Sequence, residues 1–284
     1  MQVISTKSEF RDHLDRVRAL NRTVGLVPTM GALHEGHLSL LRAAAVECDI
    51  VVLTIFVNPL QFGAGEDLSA YPRPLERDLE LAERAGADVV FTPSTDEMYP
   101  DPTLTTIHVK ELTSEMEGAS RPTHFDGVST VVTKLFNIAG PCRAYFGEKD
   151  FQQLAVVRRM ALDLDQPVTV IGCPIVREAD GLATSSRNVF LSSAQREAAT
   201  VINRALRAGV AMIVAGEQDP ALVEAHMASI IDAEPLAELD YAVVVDANSL
   251  RPLPKLLSGS AVRLLMVAKV GSPRLLDNLG VDVP

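Results

Sequence analysis

The sequence predicts an α/β chain: a Rossmann-like parallel-sheet domain over residues 1–176, then a smaller C-terminal α+β domain over residues 177–284. Three observations predict it. Short Val- and Ile-rich runs alternate with helical patterns through to residue 175. A polar stretch at 177–188 interrupts that alternation. Beyond it, helices come first and strands follow, in a block of ordinary domain size.

In chain order, residues 23–29 read as a buried strand around Val24-Gly25-Leu26-Val27, and residues 38–47 as a helix. A strand at 50–57 precedes a helix at 74–85, with Pro74 in its first turn and Gly86 at its end. A strand at 88–92 precedes a helix at 127–139, whose apolar face is Val128, Val131, Val132 and Leu135. A strand at 143–146, a helix at 151–163 and a strand at 168–173 complete the first domain. Alternation of this kind implies a parallel sheet covered on both faces, with ligands at the carboxyl ends of its strands. In the second domain, helices are expected at 193–215 (stopped by Gly216) and 221–232, and strands at 240–245 and 261–268.

Composition narrows the function. The chain has 284 residues and is 47% hydrophobic, enough for a large core. No apolar run has the length of a membrane span, and the polar N-terminus lacks a signal peptide's apolar region. Cys48, Cys142 and Cys173 are widely spaced, with no Cys-x-x-Cys, which supports neither a zinc site nor a disulfide framework. A cytoplasmic location is expected. The formal net charge of −11 repels nucleic acid and anionic membranes, so neither is an expected partner. A small polyphosphate can still bind where Lys, Arg, His and a divalent metal gather.

The stretch Met30-Gly31-Ala32-Leu33-His34-Glu35-Gly36-His37 sits at a strand-to-helix junction, where free backbone N–H groups and the helix dipole favour phosphate. His34 and His37 can each present a ring N–H to a phosphate oxygen, and Gly36 leaves room for a nucleotide. That suits attack at the α-phosphate of a nucleoside triphosphate. Asn58 and Gln61, at the end of the second strand, carry amides that can fix a small hydroxy acid or simply form an Asn-Pro turn. In Gly147-Glu148-Lys149-Asp150, Gly147 permits close backbone approach and Lys149 offers a charge for phosphate; Asp150 fits a ribose hydroxyl or a helix cap. Gln152 and Gln153 follow, and one of them should face the same cleft. Ser185-Ser186-Arg187-Asn188 can wrap a phosphate chain or form a solvated linker. Asp78 and Glu76 can help hold Mg²⁺ or lie on a plain acidic helix face. Arg121 is a partner for an anion, and Thr123 or Asp126 caps the helix after it.

These stretches, in this order, closely resemble the pantoate–β-alanine ligase family. The matching segments are 28–37, 56–62, 124–132, 145–153 and 180–188, with 267–278 resembling the family's C-terminal end. The His-x-Gly-His alone is shared with a broad nucleotidyltransferase superfamily. The resemblance implies an AMP-forming ligase that condenses (R)-pantoate with β-alanine through pantoyl adenylate, using ATP and Mg²⁺. It implies that Met30 to His37 bind ATP, with His37 as proton donor and His34 beside it. Gln61 and Gln153 would bind pantoate, and Gln61 also lies where β-alanine binds. Gly147, Glu148, Lys149 and Asp150 would hold the nucleotide. The Val176 backbone would meet adenine, and Thr184, Ser185, Ser186 and Arg187 would close over the phosphates as part of a lid domain. It also implies a homodimer. Thr184 stands where relatives often carry Met or Leu, and Arg77 beside Asp78 replaces a second acid, which weakens a paired-carboxylate metal site. An adenylyltransferase of the same superfamily, or a nucleotide sensor without turnover, are the competing readings.

Overall fold

The computed structural model describes residues 1–63, 68 and 71–284. It contains two compact units, one of residues 1–148 and 152–174, the other of residues 149–151 and 175–284. The split falls two residues before the expected boundary, and Lys149, Asp150 and Phe151 go with the second unit.

The first unit is built on six parallel strands: β1 (Gln2–Ile4), β2 (Val24–Thr29), β3 (Ile50–Ile55), β4 (Val89–Phe91), β5 (Cys142–Gly147) and β6 (Val168–Cys173). Their order is β1-β4-β3-β2-β5-β6. The helices are α1 (Lys7–Ala19), α2 (Glu35–Glu47), α3 (Leu75–Arg84), α4 (Thr95–Met98), α5 (Glu117–Ser120), α6 (His124–Ala139) and α7 (Phe151–Asp163). Alternate strand residues enter opposite cores. Leu26, Val52, Val89, Phe91, Ala144 and Phe146 meet side chains of α1, α6 and α7. Val27, Val51, Leu53, Val90 and Tyr145 meet those of α2 and α3. A sheet covered on both faces needs apolar residues at every position, which is why its strands read as continuous Val/Ile runs.

Strand order reverses between β2 and β5, which are neighbours through Gly25↔Arg143 and Leu26↔Ala144. The loops after these two strands therefore leave the same edge at the switch point, where open parallel sheets bind ligands.

The second unit contains α8 (Ser193–Ala198), α9 (Val201–Val214) and α10 (Pro220–Asp232), and an antiparallel sheet of β7 (Ala237–Asp246), β8 (Ala261–Val270) and β9 (Arg274–Asp282). Helices α9 and α10 pack on this sheet through a core that includes Ile202, Leu206, Met227, Leu264 and Met266.

Several expectations are corrected. Helix α2 begins at Glu35, three residues before the expected start at 38, with His34 as its N-cap and His37 in its first turn. The expected helix at 193–215 is two helices, broken where the Thr200 hydroxyl bonds back to the Glu197 carbonyl at 2.8 Å. Helix α6 starts three residues early, at His124; Thr123 occupies its N-cap position without a side-chain bond, and Asp126 bonds His108 instead. Elements β1, α1 and β9 were not expected. Among the described residues no helix is long and apolar enough to cross a membrane.

Gly127, in the first turn of α6, lies against the backbone after β3. A Cβ there would sit 2.3 Å from the Leu60 carbonyl oxygen and 2.5 Å from the Gln61 nitrogen. Gly127→Ala should destabilise the chain by about 3 kcal/mol, because the obstacle is backbone that cannot rotate away. An unchanged thermal midpoint would show that the Leu60–Gln61 segment yields freely.

Candidate active site

The turn from β2 into α2 is held from below. Gly31 (φ +83°) and Ala32 (φ +50°) are both left-handed, a conformation that costs a non-glycine residue about 1 kcal/mol. Asp78 of α3 offsets that cost. It is 1% exposed, and its two carboxylate oxygens accept from the backbone N–H groups of Ala32 and Leu33, each at 2.8 Å. Burial pushes its pKa up, and the two N–H donors pull it back down. A Cβ on Gly31 would lie 2.9 Å from this carboxylate, so glycine is required there.

That turn delivers His34 to the N-cap of α2 and His37 to its first turn. The Gly36 N–H donates to His34 Nδ1 (3.1 Å), and the His34 N–H donates to His37 Nδ1 (3.4 Å). In each neutral ring the proton therefore sits on Nε2. The rings lie 4.0 Å apart between centroids. Two imidazole N–H donors thus flank a helix N-terminus, an arrangement that favours phosphate oxygens. Glu35 turns outward and pairs with Arg42.

After β3, Asn58 caps the short turn Pro59–Gln61 and is 1% exposed. Its amide bonds Gly127 O (3.1 Å) and Gln61 Oε1 (3.2 Å). Gln61 is buried, and its carbonyl is approached by His124 Nδ1 (3.0 Å) and by the Arg121 guanidinium (3.4 Å). Arg121 therefore supports the Gln61 backbone as well as carrying charge. The buried glutamine of α7 is Gln152, which holds Leu112 O, Glu115 O and the Glu117 N–H; Gln153 is half-buried.

In the second unit, a cleft is lined by Lys149, Ser185, Arg187, Asn188, Arg274 and Asp277. It brings Lys149 to the Ser185–Arg187 loop, two segments singled out separately in the sequence. Among the described residues Lys149 and Arg187 make no ion pair, whereas Arg274 pairs with Asp240. The loop is tied down from behind: the Arg177 guanidinium donates two hydrogen bonds to the Asp277 carboxylate (2.6 and 2.9 Å) and also donates to Gly181 O. The Val176 carbonyl accepts from the Thr184 N–H at 2.9 Å. Asn278, fully buried, donates to the Lys149 carbonyl (2.8 Å) and accepts from Arg263 (2.7 Å), which lies over the Phe151 ring. Asp150 is exposed, at the end of a short turn before α7.

Asp78, expected as a metal ligand, is engaged in the fold. Both its oxygens serve the β2–α2 turn, and Glu76 does not join it: among the described residues no three His, Cys, Asp or Glu gather as a metal site. Asn278 was singled out in sequence only within the C-terminal segment that resembles the family, with no role given; sequence reasoning missed Tyr99, whose hydroxyl donates to Asn58 Oδ1 at 2.9 Å. A hydrogen bond between residues 41 positions apart leaves no local signal.

Asp78→Asn keeps the shape but sets an amide N–H against one loop N–H. It should weaken nucleotide binding about 10-fold, on the scale of one charge-assisted hydrogen bond. Calorimetric titration with a non-hydrolysable ATP analogue reads this; wild-type affinity would show that the turn holds itself.

The sequence matches the family described as pantoate-beta-alanine ligase over residues 2–280. It is 52% identical over 278 residues to the pantothenate synthetase of Sinorhizobium medicae, covering 98% of this chain and 95% of the relative. The fold resembles the crystal structure of pantothenate synthetase from Thermus thermophilus, with a TM-score of 0.92, 47% identity, and coverage of 98% of this chain and 99% of that one. It also resembles the pantoate-beta-alanine ligase of Francisella tularensis, crystallised with beta-gamma ATP and beta-alanine, with a TM-score of 0.81, 34% identity, and coverage of 98% and 97%. With the family matched along nearly its whole length, and the paired imidazoles at the sheet's switch point, the chain belongs to the pantoate–β-alanine ligase family.

Proposed function

We propose that this chain condenses (R)-pantoate with β-alanine to pantothenate, using ATP and passing through pantoyl adenylate. The family match carries the reading. A pantoate carboxylate oxygen attacks the α-phosphorus, the bond to the bridging oxygen breaks, and pyrophosphate leaves with the electron pair. The amine of β-alanine then attacks the acyl carbon, the acyl–oxygen bond breaks, AMP leaves, and the amine proton is released. Both nucleophiles come from substrates, so no enzyme thiol is needed. Consistently, burial pushes the Cys142 thiol up to about 12 and raises that of Cys173.

The protein supplies position and charge. His34 and His37 donate to phosphate oxygens as negative charge builds there; His37 acts through its N–H donor, with no need to surrender the proton. Lys149 and Arg187 are cations without an ion pair among the described residues, in a chain of net charge −11, and they neutralise the phosphates. Gln61 and Gln153 bind pantoate, and Gln61 also serves β-alanine. Asn58 and Arg121 hold Gln61, and Asp150 meets the ribose. The Val176 backbone meets the base, with Thr184, Ser185 and Ser186 along the phosphates. Mg²⁺ enters as the counter-ion of ATP rather than on a protein cage, since Asp78 is committed to its turn. The second unit acts as a lid, and the enzyme works as a cytoplasmic homodimer.

Incubation with ATP, Mg²⁺ and pantoate should release pyrophosphate, and pantothenate and AMP should accumulate only when β-alanine is added. Equal slow AMP formation with and without β-alanine, or no product, would overturn the reading. His37→Ala and Lys149→Ala should each slow adenylation about 10²- to 10³-fold, as removal of one stabilising donor does elsewhere. Near-normal rates in both would remove them from the mechanism.

A further inference from the structure

A glutamine amide can present either an oxygen or an N–H to a ligand, and electron density alone rarely decides which. Here the neighbours decide. Two groups beside Asn58 have fixed character: the Leu60 backbone N–H is a donor and the Gly127 carbonyl is an acceptor. Asn58 Oδ1 lies 3.3 Å from the Leu60 nitrogen, and Nδ2 lies 3.1 Å from the Gly127 oxygen. Reversing the Asn58 amide would set donor against donor and acceptor against acceptor. With Oδ1 so placed, the Tyr99 hydroxyl at 2.9 Å must donate to it. Burial raises the Tyr99 pKa, which keeps that proton in place. The second Nδ2 proton then goes to Gln61 Oε1 at 3.2 Å. The oxygen of Gln61 is thereby committed to the protein. Its Nε2 points the other way, 2.9 Å from the sulfur of Met30, a weak acceptor on the β2–α2 turn.

We infer that Tyr99 and Asn58 are positioning residues that lock Gln61 as a hydrogen-bond donor, so that its substrate position selects an oxygen acceptor of the hydroxy acid. The inference deepens the ligase reading and rests on it. The ligand oxygen replaces a thioether, and a site with a locked donor rejects groups that also donate, because one N–H is then left unpaired. The Asn58 and Gln61 side chains are themselves neutral, 1% and 8% exposed, so the Gln61 amide selects by orientation. Tyr99 is a positioning residue because it acts through Asn58 and is assigned no contact with substrate.

The first measurement uses the wild-type chain. The ¹⁵N-amide signals of Gln61, identified by their loss in Gln61→Glu, should shift on saturation with pantoate, while those of Gln152 stay in place. Unmoved Gln61 signals under saturating pantoate would overturn the inference. The second is kinetic. Tyr99→Phe removes one neutral hydrogen bond and should raise the KM for pantoate about 3- to 10-fold, with kcat and the KM for ATP changing less. Asn58→Asp places a carboxylate oxygen against Gly127 O and Gln61 Oε1. It should turn the Gln61 amide over and raise the pantoate KM further still. Equal rises in the ATP and pantoate KM values for Tyr99→Phe would indicate general loosening and reject the relay. Wild-type pantothenate formation separates the two levels: if it fails, the ligase reading falls; if it succeeds and the Gln61 signals stay unmoved, only the relay falls.

Discussion

A single buried carboxylate holds the turn on which the first unit's chemistry rests. Asp78 sits beneath the β2–α2 turn and satisfies two consecutive N–H groups that a left-handed Gly31–Ala32 pair would otherwise leave without a partner. An ionised carboxylate removed from water is costly unless it is hydrogen-bonded, and an inward-facing backbone N–H is costly unless it is accepted. Each group removes the other's penalty. The turn can then enter α2 at Glu35, which fixes where His34 caps the helix and how far its ring lies from that of His37.

Much of the architecture was legible in the sequence because it obeys one rule. Strands β2, β3 and β5 are buried on both faces and the edge strand β6 is partly covered, so they appear as apolar runs, and α2, α6 and α7 fill the gaps between them. The elements that escaped depart from the rule. Strand β1 is three residues long, with only Ile4 buried. Helix α1 did carry a signal, since Phe10, Leu14 and Val17 have helical spacing, but its mean composition is polar. Strand β9 buries Asp277 and Asn278 in the middle of its length, which breaks the apolar alternation that marks a strand. Those two polar residues are not packing defects: one holds Arg177, the other holds the Lys149 carbonyl.

The candidate site divides along the same line. Motifs contiguous in sequence were legible, as with His34 and His37, Gly147 to Asp150, and Ser185 to Arg187. Groups that act by supporting a motif from elsewhere in the chain were not. Asn58 shows the limit well. Of its two sequence readings the structure shows the turn former, Oδ1 accepting from Leu60, and adds a contact that neither reading contained, Nδ2 reaching Gln61. The choice between Gln152 and Gln153 needed the positions of α5 and its preceding loop, because only those carbonyls make Gln152 the structural member of the pair.

The two units offer an anion different kinds of group. The first unit offers oriented donors: two imidazoles, an amide and a helix N-terminus. Such groups discriminate by direction and change little with ionic strength: the imidazoles and the helix N-terminus suit phosphate oxygens, and the Gln61 amide suits a small acid that must be placed for in-line attack. The second offers Lys149 and Arg187, full charges that make no ion pair among the described residues, beside Arg274, whose charge Asp240 already balances. In a chain of net charge −11, two such cations in one cleft form a local reversal of sign. Their attraction for a triphosphate is less directional, and salt screens it. Raising ionic strength should therefore increase the KM for ATP much more than the KM for pantoate. Steady-state kinetics at several salt concentrations would read this, and parallel increases would mean that charge, rather than oriented dipoles, also holds the acid.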